Sequence, residues 1–154
     1  MQNTRNLTLR ALVPGEVPLL RRPMEKLAEY HNKVAAGFRG MYPTMPIDTH
    51  LAHMEEHLRN DTARIIGLFL ADGTLGGFGM ASHESGYGEI DYLFVDENIR
   101  GKSHGGKILK QLHAYLKEKG VRFVDLQVVI GNPAKQFYEK HGFAPRSETL
   151  SKRI

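Results

Sequence analysis

A single mixed α/β domain, a central sheet with helices laid on it, is the fold class predicted by three features of this sequence. Apolar, strand-like runs alternate with amphipathic helical segments along the whole chain, which favours a layered arrangement over a bundle or an all-β sandwich. The 154 residues suit one domain with its own core. With 41% apolar and 25% charged residues the chain can bury that core, and 16 Gly and 7 Pro are too few and scattered for a fibrous or disordered polymer.

The elements follow in order. Leu7 to Leu12 reads as a first strand, and Pro14, Gly15 and Pro18 break the chain before a helix from about Leu19 to Ala35. Gly37 and Gly40 end it, Gly40 to Pro46 forms a loop, and Asp48 or Thr49 caps a second helix that runs to about Arg59. Leu51, Met54 and Leu58 give that helix one buried stripe. Arg64 to Leu70 and Thr74 to Ala81 are two strands joined at Asp72-Gly73, a pair suited to a tight hairpin turn. Gly88 to Val95 is the next strand. A helix from about Gly105 to Lys119 carries Ile108, Leu109, Leu112, Tyr115 and Leu116 on one face and stops at Gly120. Val121 to Val129 returns as a strand. Asn132 then caps a short helix with Pro133 at its first position, Gly142 ends it, and Phe143 to Ile154 supplies one or two final strands. No repeat or linker divides the domain, which spans residues 1–154.

Composition removes several functions. The absence of cysteine excludes disulfides, a thiol nucleophile and thiolate metal sites. Met1 to Leu12 lacks the apolar core of a secretory signal, and no run approaches the length of a membrane span, so a cytoplasmic protein without membrane contact is expected. The net charge of +4 suits an anionic ligand. Its dispersal is unlike a phosphate-tracking stripe, and no nucleic-acid partner is expected.

The most informative segment is Arg100-Gly101-Lys102-Ser103-His104-Gly105-Gly106-Lys107, between a strand and a strongly amphipathic helix. Glycines there permit close approach of a ligand, and the free N–H groups of the first helical turn attract anionic oxygens. A phosphate or pyrophosphate fits; so does a plain flexible turn. Two alternative signatures fail. A P-loop ending in Gly101-Lys102-Ser103 would need glycine where Asp96 stands, and no dinucleotide fingerprint Gly-x-Gly-x-x-Gly occurs.

The segment resembles the acyl-CoA signature of the GCN5-related N-acetyltransferase (GNAT) superfamily: Arg or Gln, two residues, Gly, one residue, Gly or Ala. Arg100 and Gly105 match its ends, and Ser103 replaces the middle glycine. A second stretch, Asn132-Pro133-Ala134-Lys135-Gln136-Phe137-Tyr138-Glu139-Lys140-His141-Gly142-Phe143, is similar to the family's other CoA-side signature. The acidic strand from Glu89 to Val95 and the element order extend the likeness over most of the chain; the first 60 residues match only in layout.

The resemblance implies a strongly twisted mixed sheet flanked by helices, with splayed fourth and fifth strands, and direct acetyl transfer from acetyl-CoA to a primary amine. It places Leu93, Phe94 and Val95 along the pantetheine arm, with a backbone N–H near Phe94 or Val95 polarising the thioester. Arg100, Gly101, Lys102, Ser103, His104, Gly105 and Gly106 would hold the pyrophosphate, and Asn132 would add a contact to the arm. Tyr138 is the expected acid toward the departing sulfur. Glu89 and Asp91, two apart on one strand, should share a face with Leu93 and Val95. Glu89 is assigned proton removal and Asp91 attraction of the cationic amine, with the reversed roles or a strand-end ion pair as alternatives.

His50, His53 and His57 lie at i, i+3 and i+7, and His53 to His57 matches a His-x-x-Glu-His zinc pattern. No third ligand stands in convincing context, so the histidines are read as a polar flank and no metal is expected. In the resembling fold the first two helices help form the acceptor pocket, which nominates Tyr30, His31, Tyr42 and His53 as substrate-binding residues. The acceptor is expected to be a small-molecule amine. A protein or peptide amine, or an inactive CoA-binding sensor, are the alternatives, and a homodimer is a permitted assembly.

Overall fold

The computed structural model describes residues 6–101 and 103–154. Residues 1–5, at the start of the stretch read for a leader, and Lys102 of the proposed phosphate turn lie outside them. The elements are β1 (Thr8–Ala11), α1 (Arg21–Val34), α2 (Ile47–Arg59), β2 (Ala63–Phe69), β3 (Leu75–Glu84), β4 (Tyr87–Val95), α3 (His104–Glu118), β5 (Phe123–Asp125) and α4 (Ala134–Lys140), with short 3-10 turns at Val17–Leu20 and Glu97–Ile99. Among the described residues no helix is long and apolar enough to cross a membrane.

The sheet runs β1-β2-β3-β4-β5; its first four strands are antiparallel and β5 joins β4 in parallel. Neighbouring residues of β2 divide between two cores, as expected of a sheet covered on both faces. Ile65 faces Leu20, Met24, Leu51, Met54, Phe78 and Met80 under α1 and α2, whereas Ile66 joins Ala81, Ile90, Ile108, Leu112 and Leu116 under α3. Small residues bring α3 close. A Cβ on Gly79 would stand 2.5 Å from Ile108 Cγ2 and 2.9 Å from Leu112 Cδ1. The hairpin at Asp72-Gly73 forms as expected, with Gly73 at φ +86° and the Asp72 side chain accepting from the Thr74 amide at 2.9 Å.

Several expectations are corrected. α2 begins at Ile47 after Pro46, with no side-chain cap among the described residues, so Asp48 lies in its first turn instead of capping it. β3 extends past Ala81 to Glu84, because β4 pairs with it as far as Tyr87. The strand expected over Val121 to Val129 is three residues long, and residues 143–154 form no strand. They are held by side chains instead: Arg146 pairs with Asp125 at 2.6 Å, and Arg153 lies over the Phe38 ring. Pro133 occupies the cap position of α4, one residue later than expected, yet Asn132 Oδ1 still accepts from the Ala134 amide at 2.9 Å.

Candidate active site

The parallel pairing of β4 with β5 covers Tyr87 to Glu89 and stops there, opposite Phe123 to Asp125. From Asp91 onward β4 is paired with β3 alone and has a free edge. This is the splay the resemblance implied, and it puts Leu93, Phe94 and Val95 beside an opening in the sheet.

A bulge decides which side chains face each way. Met80 pairs with Tyr92 and Ala81 with Ile90, so Asp91 is the extra residue of β4. Glu89 opposes Ser82, and the Ser82 hydroxyl donates to Asp91 Oδ1 at 3.1 Å, so both carboxylates share a face as expected. Leu93 and Val95 do not share it. The bulge reverses the alternation, turning them toward α3 while Tyr92 and Phe94 pack under α1 and α2. Phe94, whose side chain is buried in that core, can offer a ligand only its backbone.

The carboxylate face is short of positive charge: among the described residues neither Glu89 nor Asp91 forms an ion pair, and the buried Asp91 Oδ2 has no hydrogen-bond partner. Burial pushes the Asp91 carboxyl up to about 7, opposed by the Ser82 hydrogen bond and assisted by the charge of Glu89. Glu89 is raised too, by burial and by Asp125. Tyr92 is pushed up to about 12 by burial and by both carboxylates, and its hydroxyl lies 2.8 Å from His50 Nδ1 on α2. Sequence reasoning chose His53 of the histidine stripe, but His53 is exposed while His50, one turn earlier, touches β4. The apolar positions Leu51 and Met54 were the available signal, since they mark which side of α2 turns inward. Thr62 Oγ1 lies 2.7 Å from His57 Nδ1.

At the other end of the opening, Gly101 has φ +86° and Ser103 a left-handed φ of 62°. Ser103 caps α3 without a side-chain hydrogen bond, and the first hydrogen bond of the helix runs from the Lys107 amide to the Ser103 carbonyl at 3.1 Å. The amides of buried His104, and of Gly105 and Gly106, precede that bond, as the first N–H groups of any helix do. Cβ atoms at Gly105 and Gly106 would make only ordinary contacts, 3.6 Å from Phe137 and 3.4 Å from His141, so packing does not itself demand glycine there. Arg100 is exposed and folds back along β4; its Nε donates to the Val95 carbonyl at 2.7 Å and its guanidinium lies 4.9 Å from the Tyr30 ring centre.

Tyr138 stands on the α3 side, with ring centres 5.2 Å from Phe137 and 5.9 Å from Phe143. Burial pushes its phenol up to about 12. It therefore keeps its proton at neutral pH. The nominated acceptor residues of α1 form a separate run: His31 packs edge-on to Tyr42 at 5.4 Å and lies 6.4 Å from Tyr30, and burial lowers the His31 pKa. Asn32 fixes Tyr42, its side chain accepting from the Gly40 and Tyr42 amides and donating to the Tyr42 carbonyl at 2.7 Å. An open depression of about 370 Å³ lined by Val17, Arg21, Asp48, Leu51 and Glu55 shares no residue with the β4 groups.

This geometry has a family. Residues 27–143 match the acetyltransferase (GNAT) family. The chain belongs to it. A curated relative, the uncharacterized N-acetyltransferase YobR of Bacillus subtilis strain 168, is 36% identical over 76 residues, a match spanning 49% of this GNAT chain but 31% of the relative. Among solved structures, a predicted acetyltransferase of Clostridium acetobutylicum determined with acetyl-CoA superposes with a TM-score of 0.75 at 17% identity, covering 96% of each chain. The aminoglycoside N-acetyltransferase AAC(6')-Iy, in complex with the bisubstrate analogue CoA-S-monomethyl-acetylneamine, gives 0.69 at 20% identity over 97% of this chain and 98% of that one. These likenesses confirm the mixed, open sheet flanked by helices.

Proposed function

We propose that this protein is an acetyl-CoA-dependent N-acetyltransferase that passes the acetyl group directly to the primary amine of a small molecule. One observation carries the reading: the free edge of β4 separates a phenol that holds its proton, on the α3 side, from a buried carboxylate oxygen without a partner on the other. The reading sets the thioester along that edge, with the amine arriving from the carboxylate side and Tyr138 serving its sulfur from the α3 side. Solved relatives with acetyl-CoA or a CoA-linked aminoglycoside support the donor and the amine class.

The Gly105 and Gly106 amides at the start of α3, together with Gly101 and Ser103, fit a pyrophosphate, whose charge the helix dipole favours. Lys102 and the side chain of Asn132 remain assigned to the same end. The backbone of Leu93 to Val95 lines the edge, and an N–H near Phe94 or Val95 polarises the acetyl carbonyl.

The family resemblance assigned proton removal to Glu89, with the reversed roles left open. The deeper burial of Asp91 exchanges the two roles, because a carboxylate near pKa 7 is better matched to deprotonating an amine at neutral pH. Asp91 takes a proton from the ammonium, and Glu89, farther toward solvent, draws the cation in and passes the proton out. As the carbon–nitrogen bond forms and the carbon–sulfur bond breaks, Tyr138 protonates the thiolate. The proton shed by the new amide nitrogen restores the phenol, leaving free CoA and one proton released through Asp91. Tyr30, His31 and Tyr42 line the acceptor side, and His53 remains at its rim. A cytoplasmic setting and a homodimer belong to this proposal.

Incubation with acetyl-CoA and a mixed library of small amines and peptides, read by mass spectrometry, tests it. An acetylated small amine is the expected product. Acetylated peptides alone would shift the acceptor class to proteins, and acetyl-CoA binding by calorimetry without any product would leave a sensor.

A further inference from the structure

The mechanism above leaves two groups on the acceptor face unused. Tyr92 follows the bulge residue Asp91 and lies on the same side of the sheet, its ring 6.1 Å from Phe78 and its hydroxyl 2.8 Å from His50 Nδ1. The His50 ring meets it edge-on at 6.0 Å. A side chain from α2 thus fixes the position of a hydroxyl that stands next in sequence to the proposed base.

A hydroxyl has one proton and two lone pairs, so what it offers a ligand depends on where that proton is committed. A phenol is the stronger acid of this pair, and neutral imidazole with its proton on Nε2 presents Nδ1 as a lone pair. The Tyr92 O–H then donates to His50 Nδ1. We infer that Tyr92 is a specificity-determining residue for the acceptor: with its proton committed to His50, its oxygen can only accept, and it takes a hydrogen bond from the incoming amine beside Asp91. His50 is the positioning residue that enforces this polarity. The inference rests on the proposed acetyl transfer and adds an uncharged acceptor to the two carboxylates.

The electrostatic surroundings agree. Burial and neighbouring His53 lower the His50 pKa, which keeps its ring neutral, and burial, aided by Asp91 and Glu89 on β4, holds the Tyr92 proton on oxygen. His53 on α2 and Asp91 and Glu89 on β4 are the titratable groups that act on the pair. An acceptor-only oxygen beside a carboxylate favours an ammonium, which brings several N–H donors, over a group presenting lone pairs.

The inference is tested by combining kinetics with nitrogen NMR. Tyr92→Phe should raise the KM for the amine identified in the library about tenfold, the scale of one hydrogen bond to a charged donor, with the KM for acetyl-CoA unchanged. Asparagine places an amide oxygen where His50 has Nδ1, and glutamine does not. His50→Asn should therefore stay within about threefold of wild type in amine KM, while His50→Gln and His50→Ala resemble Tyr92→Phe. In wild-type protein labelled with nitrogen-15, His50 should carry its proton on Nε2 and none on Nδ1, and Tyr92→Phe should shift the Nδ1 resonance. An unchanged amine KM in Tyr92→Phe, equal losses in all three His50 variants, or a protonated Nδ1 would each overturn the inference. Absence of any acetylated product overturns the functional reading instead, and the NMR result then decides the His50–Tyr92 polarity by itself.

Discussion

The two faces of β4 are made by one nine-residue strand, yet they do different work. On the α3 face Ile90, Leu93 and Val95 lie in a continuous aliphatic layer with Ile108, Leu112 and Leu116. On the other face Glu89, Asp91 and Tyr92 bring three ionisable groups into the margin of a core, each with its pKa raised by burial. Strict alternation could not produce that contrast, since it would line Asp91 up with Leu93. The bulge at Asp91 lets a polar cluster and an aliphatic layer follow each other on one strand. The polarity of the two faces of β4 is thus set by a pairing irregularity as much as by which residues are present.

The largest expected effect comes from Asp91→Asn. If Asp91 is the base, kcat/KM in the wild type rises with pH through a midpoint near pH 7, and the variant loses about a hundredfold or more. Stability should move the other way. The folded carboxyl holds its proton up to about pH 7, whereas in the unfolded chain it ionises near pH ~4. Wild-type stability attributable to this group is therefore highest below the unfolded pKa, falls as pH rises between the two values, and is flat above the folded one. Asparagine cannot ionise, so thermal melts at pH 8 should put the variant above wild type by about 10 °C, with the difference closing near pH 4. A variant less stable at pH 8 would make Asp91 a structural residue, and the contrast between the faces would lose its functional meaning.

What could be read without coordinates follows the same division. Proline and glycine breakers bounded α1, periodicity identified α2 and α3, and Asp72-Gly73 marked its hairpin, because those signals are local. The bulge was invisible because it is a property of how β4 meets β3: nothing in Glu89-Ile90-Asp91-Tyr92 states that Ala81 will oppose Ile90 and Met80 will oppose Tyr92. His50 was passed over for a related reason. Its value lies in a contact with Tyr92, 42 residues away. The terminal strands failed because a strand needs a partner edge, and residues 143–154 offer Phe143, Leu150 and Ile154 with no alternating pattern between them. The glycine-rich turn before α3 was legible because Arg100 and Gly105 carry a family pattern in the sequence itself.

Two substitutions of intermediate effect sharpen the comparison from the aliphatic side. Tyr138→Phe keeps the ring against Phe137 and Phe143 but removes its proton, so turnover should fall roughly 10- to 100-fold while acetyl-CoA affinity is retained. Unchanged turnover would remove Tyr138 from the chemical step. Gly79→Ala should do the reverse. Its new methyl would meet Ile108 and Leu112, costing about 2 kcal/mol of stability in denaturant titrations, with kcat per folded molecule preserved. A catalytic defect in fully folded Gly79→Ala would show that α3 packing also sets the chemistry, and the two faces would not be separable.

The smallest effect is expected at Ser103, where the family pattern has glycine. Its φ of 62° and ψ of 20° place the residue in the left-handed region, and its hydroxyl caps nothing among the described residues. The backbone here already has the conformation a glycine adopts freely, and the serine retains it at a local cost of ~1 kcal/mol or more. Ser103→Gly relieves that strain but gives the unfolded chain more freedom to lose, so the two terms oppose and net stability should change by less than about 1 kcal/mol. If the pyrophosphate is held by backbone amides, acetyl-CoA affinity should stay within about threefold of wild type in calorimetry. A loss approaching a hundredfold, ~2.7 kcal/mol, would mean that the serine hydroxyl itself grips the ligand. The turn would then depend on side-chain chemistry as the carboxylate face of β4 does, and not on backbone geometry alone.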